Sequence, residues 1–275
     1  MSVFEENQLE YAFTKDLGDV PKILGTSDTP PIRVANPLGN GAFVFGCEHA
    51  GNCIPEVLGT LGLSKAELNR HIAFDIGAEK LTGFLSMALD SPAIFQRYSR
   101  LVYDCNRAVD HPSAFVVDAD GSHVAGNVDL SEVDKIAREH AIYRPFHEQA
   151  TDLIERRRRN AEQFAYVAMH SFNETVQGQP RPWHIGMIYN QQPAMSKHLI
   201  QWFRDNTEYV VGDNEPYSPA DAVDHTIRVQ AEIRNIPYTM IEVRNDLLRE
   251  ETGIRHWAEL IAQALRDFTS KNFKE

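Results

Sequence analysis

Short apolar runs alternate along the chain with longer segments in which apolar residues recur every three or four positions. The runs, which predict buried β-strands, lie at 41–46, 93–95, 164–169, 183–189 and 238–244. The helical spacing lies at 76–89, 130–160, 194–206, 226–234 and 252–268. This alternation predicts an α/β fold, a three-layer α/β/α sandwich around a mixed, largely parallel sheet.

Local signals add boundaries to this pattern. Ser64 followed by Glu67 has the spacing of a capping box, which predicts a helix start. Pro145 is expected to kink or split the helix predicted at 130–160. Residues 1–40 contain four prolines and are expected to form an irregular N-terminal arm, which leaves 41–275 as a single catalytic α/β domain. The segment 110–129, rich in Gly, Ser, Asp and His, is expected to be a long surface loop.

The charge and the cysteines narrow the class of protein. A net charge of -12 over 275 residues argues against nucleic acid or an anionic membrane as a partner. The basic run 156–159 follows Glu155 in a helical pattern, which favours a solvated helix face. Three irregularly spaced cysteines and the lack of an apolar leader predict reduced thiols in a cytoplasmic protein. The sequence leaves the oligomeric state open.

Four polar residues lie at predicted strand ends or helix starts, where α/β proteins bind ligands. His49 follows the strand at 41–46, and His170 ends the strand at 164–169. Asp75 precedes a helix, and Glu242 interrupts an apolar strand. Each has an ordinary structural explanation: a histidine bonded to backbone in a turn, a polar strand end, an N-cap, or a Glu–Arg pair with Arg244.

Taken together, the four residues point to metal chemistry. Two neutral imidazoles, one carboxylate and an open position form the ligand set of a catalytic zinc site, which assigns His49, His170 and Asp75 to the metal. Glu242 is then the expected general base, outside the coordination shell. Manganese, cobalt and nickel stay as alternatives to zinc.

Arginines near these positions are candidates for holding an acidic substrate, because a guanidinium binds a carboxylate in a bidentate fork. Arg100 and Arg107 lie in one segment together with Asn106, and Arg244 follows Glu242 by two residues. Ordinary ion pairs with Asp104 or with neighbouring acids are the alternative explanation for each arginine.

Six segments, in chain order, resemble a known family. They are CEHAGN at 47–52 with Pro55, HIAFDIGA at 71–78, YSRLVYDCNR at 98–107, HSF at 170–172, NEPY at 214–217 and IEVRNDL at 241–247. In this combination the chain resembles the N-formylglutamate amidohydrolase family over roughly 41–248. The resemblance implies a phosphorylase/hydrolase-like fold similar to the zinc carboxypeptidases and the zinc N-acetylmuramoyl-alanine amidases.

The resemblance also implies roles for single residues. It implies zinc ligands at His49, Asp75 and His170 and a catalytic Glu242. The carboxypeptidase pattern would place an acid at 52, where this chain has Asn52, a poor zinc ligand. Asp75 is therefore preferred as the carboxylate ligand, with Glu48 as the alternative.

The substrate follows only from the family. The resemblance implies hydrolysis of the amide bond of a small, carboxylate-bearing N-acyl amino acid, with N-formyl-L-glutamate to formate and L-glutamate as the leading case. Glu48 stands where close relatives commonly have proline, which suggests a divergent branch. A zinc peptidase or cell-wall amidase is the rival enzyme, and a non-catalytic metal- or ligand-binding protein is the rival of another class.

Overall fold

The structure is a computed structural model that describes residues 20–109, 111–160, 162–218 and 225–273. The first 19 residues of the expected N-terminal arm lie outside the described residues. The strands are β1 Ile32–Ala35, β2 Phe43–Cys47, β3 Ala93–Gln96, β4 Asp118–Ala119, β5 Ser122–His123, β6 Ala165–Phe172, β7 Thr175–Val176, β8 Gln179–Pro180, β9 Ile185–Ile188, β10 Val211–Asp213 and β11 Tyr238–Arg244. The helices are α1 Lys65–Leu68, α2 Ala78–Ala88, α3 Glu132–Arg138, α4 Arg144–Arg159, α5 Ala194–Asn206, α6 His225–Gln230 and α7 Glu251–Asn272.

Within the described ranges, seven strands form one mixed sheet in the order β1-β3-β2-β6-β11-β9-β10. The central strands β3, β2, β6 and β11 are parallel, whereas β1 and β9 run antiparallel to their central neighbours. Helices α2, α5 and α7 cover the first face of this sheet, and α4 and α6 cover the second. The predicted three-layer α/β/α sandwich with a mixed, largely parallel sheet is therefore confirmed.

Alternation along the central strands decides which side chains reach each face. In β6, Val167 and Met169 pack into the first core, while Tyr166 and Ala168 pack into the second. His170 continues the second set, because side chains on a strand point to one face at every other residue. Glu242 in β11 is the direct register partner of His170, so both side chains leave the sheet on the second face.

Two local expectations needed correction, and a third is confirmed. The arm expected to be irregular contains β1, because Ile32 and Val34 pack against the second core while the strand pairs with β3. The helix predicted at 130–160 is split as expected: a π-helical stretch at Glu139–Tyr143 separates α3 from α4 and ends directly before the turn that contains Pro145.

The expected surface loop at 110–129 carries the β4–β5 hairpin. No helix in the described part of the chain is long and apolar enough to cross a bilayer.

The antiparallel direction of β9 shapes the edge of the sheet where the central parallel strands end. Val243 of β11 pairs with Ile185, so β9 begins at this edge. The loop after β10 crosses β9 at Gly186, where an added Cβ would lie 1.8 Å from the carbonyl oxygen of Glu215. Glycine is thus needed at 186 for the loop to pass close to the sheet.

The close approach at Gly186 gives a stability prediction. Gly186→Ala should destabilise the fold by about 1–3 kcal/mol, because the methyl group meets backbone that has no room to move. Gly83→Ala, in the middle of α2 with open space around it, should instead stabilise the fold by up to about 1 kcal/mol. Urea unfolding midpoints measure both changes; equal midpoints for the two variants would contradict the packing described.

Candidate active site

His49 and Asp75 are joined through their backbones at the ends of β2 and of the loop that precedes α2. The amide of Asp75 donates to the carbonyl oxygen of His49 at 2.9 Å. The turn after His49 needs Gly51, because a Cβ there would lie 2.2 Å from the carbonyl oxygen of Arg97. His170, from β6, completes the group, and the amide of Ser171 donates to the Asp75 carboxylate at 3.2 Å.

Three donor atoms converge in this group. Nδ1 of His49 lies 3.1 Å from Nδ1 of His170 and 3.4 Å from Oδ2 of Asp75, and the latter two atoms are 2.9 Å apart. All three side chains are buried. Tetrahedral zinc with bonds of about 2.0–2.1 Å places its ligand atoms roughly 3.3 Å apart, so the type and spacing of these donors fit such an ion.

Each imidazole also has a carboxylate at its outer nitrogen. Nε2 of His49 lies 2.6 Å from Oδ1 of Asp104, within a hydrogen bond. Nε2 of His170 lies 3.0 Å from Oε2 of Glu48, a charge contact without hydrogen-bond alignment. A carboxylate at this position favours the Nε2–H tautomer and turns the Nδ1 lone pair inward, as is common around metal-bound histidines.

Neighbouring charges shift the pKa values of His170 and Asp104. Burial alone would lower the pKa of His170, but Glu48 and Asp75 outweigh it and raise the pKa well above its ordinary value. For Asp104 burial alone would raise the pKa, but His49 and two arginines hold the pKa well below its ordinary range. The cluster therefore attracts positive charge, a proton or a cation, to its centre.

Glu242 stands beside this cluster as a buried carboxyl group. Its side chain is 5% exposed, and its Oε2 has no hydrogen-bond partner within the described part of the chain. Burial raises the pKa of Glu242 to about 8, against the pull of His170 and two arginines. A buried carboxyl group without a partner is costly to fold, and perturbed carboxyls of this kind gather at functional sites.

A cavity of about 90 Å³ collects most of the residues predicted from the sequence. It is lined by His49, Asp75, Arg100, Asn106, Arg107, His170, Ser171, Tyr217, Met240 and Glu242. Arg100 bridges Asp75 and Asp104, at 3.0 and 3.3 Å from their carboxylate oxygens. Arg107 donates to the hydroxyl of Ser113 and to the carbonyl of Asn106.

Three residues weighed from the sequence lie outside the lining of this cavity. The structure does not bring Arg244 into the cavity lining; its guanidinium forks onto the carboxylate of Asp246 at 2.8 and 3.2 Å. The pairing of Arg244 with Glu242, the structural alternative, is therefore not formed. Asn52 donates to the carbonyl of Leu68 at 2.9 Å. Glu48, the alternative ligand, contacts the outer nitrogen of His170 and is not one of the three residues whose donor atoms converge.

Sequence reasoning missed the parts played by Asp104 and Tyr217. Asp104 was considered only as an ion-pair partner for arginines, whereas it also bonds His49 and accepts from the amide of Asn106 at 2.9 Å. Tyr217 entered the sequence analysis only as the last residue of the NEPY segment at 214–217. The available signal for Asp104 was its place in the same short segment as Arg100 and Arg107. Its contact with His49, however, joins residues that are far apart in the chain.

Comparison with known proteins shows the family and the fold of the chain. The profile of the N-formylglutamate amidohydrolase family matches residues 41–249. A crystal structure of a gene product from Agrobacterium tumefaciens is 32% identical, has a TM-score of 0.89 and covers 92% of this chain and 100% of its own.

A second solved structure is more distant in sequence. An N-formylglutamate amidohydrolase from Ralstonia eutropha JMP134 is 16% identical, with a TM-score of 0.70, 88% of this chain covered and 98% of its own, which shows a shared fold. No curated protein matches the chain.

The contact between Asp104 and His49 gives a prediction for metal affinity. Asp104→Asn should weaken zinc binding by about 10- to 100-fold, because the ring of His49 loses the carboxylate that orients it. The control is Asp267→Asn, which alters a similar His–Asp contact, 2.8 Å to His198, between α5 and α7. Zinc affinity measured by competition with a chromogenic chelator should change in the first variant only; an equal effect in both would exclude this role.

Proposed function

The chain belongs to the N-formylglutamate amidohydrolase family, and from that membership we propose that it hydrolyses the amide bond of a small, carboxylate-bearing N-acyl amino acid with the help of a divalent metal ion. N-formyl-L-glutamate, giving formate and L-glutamate, is the leading substrate. The observation that carries the proposal is the buried Glu242 carboxyl, whose Oε2 has no partner among the described residues, beside three convergent donors.

The proposed metal is zinc, held by His49, Asp75 and His170. Two imidazoles and one carboxylate are a donor set that zinc enzymes use, and it leaves a position open. When bound, the ion supplies Lewis-acid chemistry, polarising a carbonyl and lowering the pKa of water. Asp104 and Glu48 keep the two imidazoles oriented, and Arg100 fixes Asp75 from its other carboxylate oxygen.

Glu242 is the proposed general base and acid. It takes a proton from the water whose oxygen attacks the acyl carbon, and it delivers a proton to the nitrogen as the carbon–nitrogen bond breaks. The products are a carboxylate, formate in the leading case, and the free amine of the amino acid. Its position supports this role, since Glu242 lines the cavity beside His170 and is its register partner in the sheet.

The family match favours a small N-acyl amino acid over the rival substrates, because the profile of the N-formylglutamate amidohydrolase family covers residues 41–249. Burying the carboxyl of Glu242 lowers the stability of the fold. A protein that only bound a metal or a ligand would gain no chemical benefit in return.

Replacing the base separates chemistry from metal binding. Glu242→Gln should reduce kcat by about 10²- to 10⁴-fold, because the amide cannot accept a proton from water, while metal content stays at the wild-type level. Glu79→Gln, at an exposed ion pair with Arg33, is the matched control. Turnover by the Glu242→Gln variant at the wild-type rate would rule out this assignment.

A substrate screen tests the class of reaction. The intact protein, supplied with zinc, should release free amine from N-formyl and N-acetyl amino acids and not from short peptides, and a chelator should stop the release. Turnover that is confined to peptides, or that persists after the metal has been removed, would contradict the proposal.

A further inference from the structure

The arginines near the cavity differ in whether a carboxylate of the protein is already paired with their guanidinium group. Arg100 is held by two carboxylates, Asp75 and Asp104, and Arg244 is held by Asp246. Arg181 is different: among the described residues it has no carboxylate within ion-pair distance. Its guanidinium carbon lies 4.9 Å from the centre of the Tyr217 ring, and NH1 donates to the Tyr217 hydroxyl at 3.3 Å.

The sheet topology explains how Arg181 reaches this place. After His170, β6 ends at Phe172, and the exposed β7–β8 hairpin extends from this edge. The amide of Arg181 donates to the carbonyl of Glu174 at 2.8 Å, which closes the base of the hairpin. Because β9 is antiparallel to β11, the segment before β9 lies at the edge where the catalytic groups leave the sheet.

The aromatic contacts of Arg181 hold the guanidinium beside the cavity. Tyr217 lines the cavity, and the centre of the Phe172 ring lies 5.8 Å from the guanidinium carbon. A cation–π contact holds a guanidinium against a ring and leaves its other N–H donors for an anion. A carboxylate fits such an edge with two parallel hydrogen bonds.

We propose that Arg181, held in place by Tyr217, binds a carboxylate of the substrate and is the residue that selects acids over neutral amides. This inference rests on the proposed function and adds to it the specificity-determining contact. Of the three candidate arginines from the sequence, Arg100 and Arg107 line the cavity, whereas the guanidinium of Arg244 is paired with Asp246. Arg181 touches substrate in this account, but it takes no part in proton transfer.

The test compares acids with their amides. In Arg181→Gln, KM for N-formyl-L-glutamate should rise by about 10- to 100-fold with little change in kcat, as expected when a binding contact common to ground and transition states is lost. The α-amide of N-formyl-L-glutamate and N-formyl-L-glutamine each lack one carboxylate. The amide whose KM is insensitive to the substitution identifies the carboxylate that Arg181 holds.

Two further variants control for structure. Arg255→Gln removes the same charge from the exposed Arg255–Glu251 pair on α7, which packs on the opposite face, and should leave KM unchanged. Arg181→Lys keeps the charge without the planar fork and should recover part of the lost affinity. Zinc content and circular dichroism of each variant report folding independently of turnover.

The outcomes separate the two proposals. Binding of the acid and of both amides is measured by calorimetry alongside turnover. In one outcome the wild-type protein turns over the substrate while Arg181→Gln loses affinity equally for the acid and the amides, or loses none. Either result overturns the role of Arg181 and leaves the proposed reaction standing. Binding of the acid through Arg181 without hydrolysis overturns the reaction and leaves the carboxylate site standing. The absence of both binding and turnover overturns both.

Discussion

The close approach of His49, Asp75 and His170 is the constraint that governs the arrangement of the polar side chains on the second face of the sheet. Three donor atoms within 3.4 Å of one another repel unless a proton or a cation lies among them. The outer carboxylates of Asp104 and Glu48 point the ring nitrogens inward and so fix this arrangement. Burying so many carboxyl groups costs several kcal/mol for each ion, a cost that a bound cation offsets.

The sheet supplies the positions that this arrangement requires. Parallel β2 and β6 end side by side and deliver His49 and His170, while the register of β11 places Glu242 directly beside His170. The antiparallel β9 then returns the chain to the same edge and carries Arg181 with it. One topological feature, the common edge of the central strands, thus brings together groups from separated parts of the chain. These groups are a proposed base, three proposed ligands and a proposed substrate contact.

The sequence predicted much of this and failed where contacts are long-range. Apolar runs marked β2, β3, β6, β9 and β11, because buried parallel strands are continuous in hydrophobicity. They missed two strands at the edges of the sheet: β1, which is largely half-buried, and β10, which has only three residues. His49, His170 and Glu242 were singled out because each follows, ends or interrupts such a run, and Asp75 because it precedes a helix. Arg181 lies in an exposed hairpin segment with no pattern of its own, and only the antiparallel direction of β9 brings it near the cavity.

The central claim is that one metal ion is bound by His49, Asp75 and His170. A crystal structure of the zinc-supplemented protein, with anomalous data collected above and below the zinc edge, tests it most directly. The account predicts a single buried anomalous peak within about 2.0–2.2 Å of Nδ1 of His49, Nδ1 of His170 and a carboxylate oxygen of Asp75. A peak coordinated by Glu48 in place of Asp75 would contradict the account. So would the absence of a peak in this cavity while zinc is fully occupied at another site in the crystal.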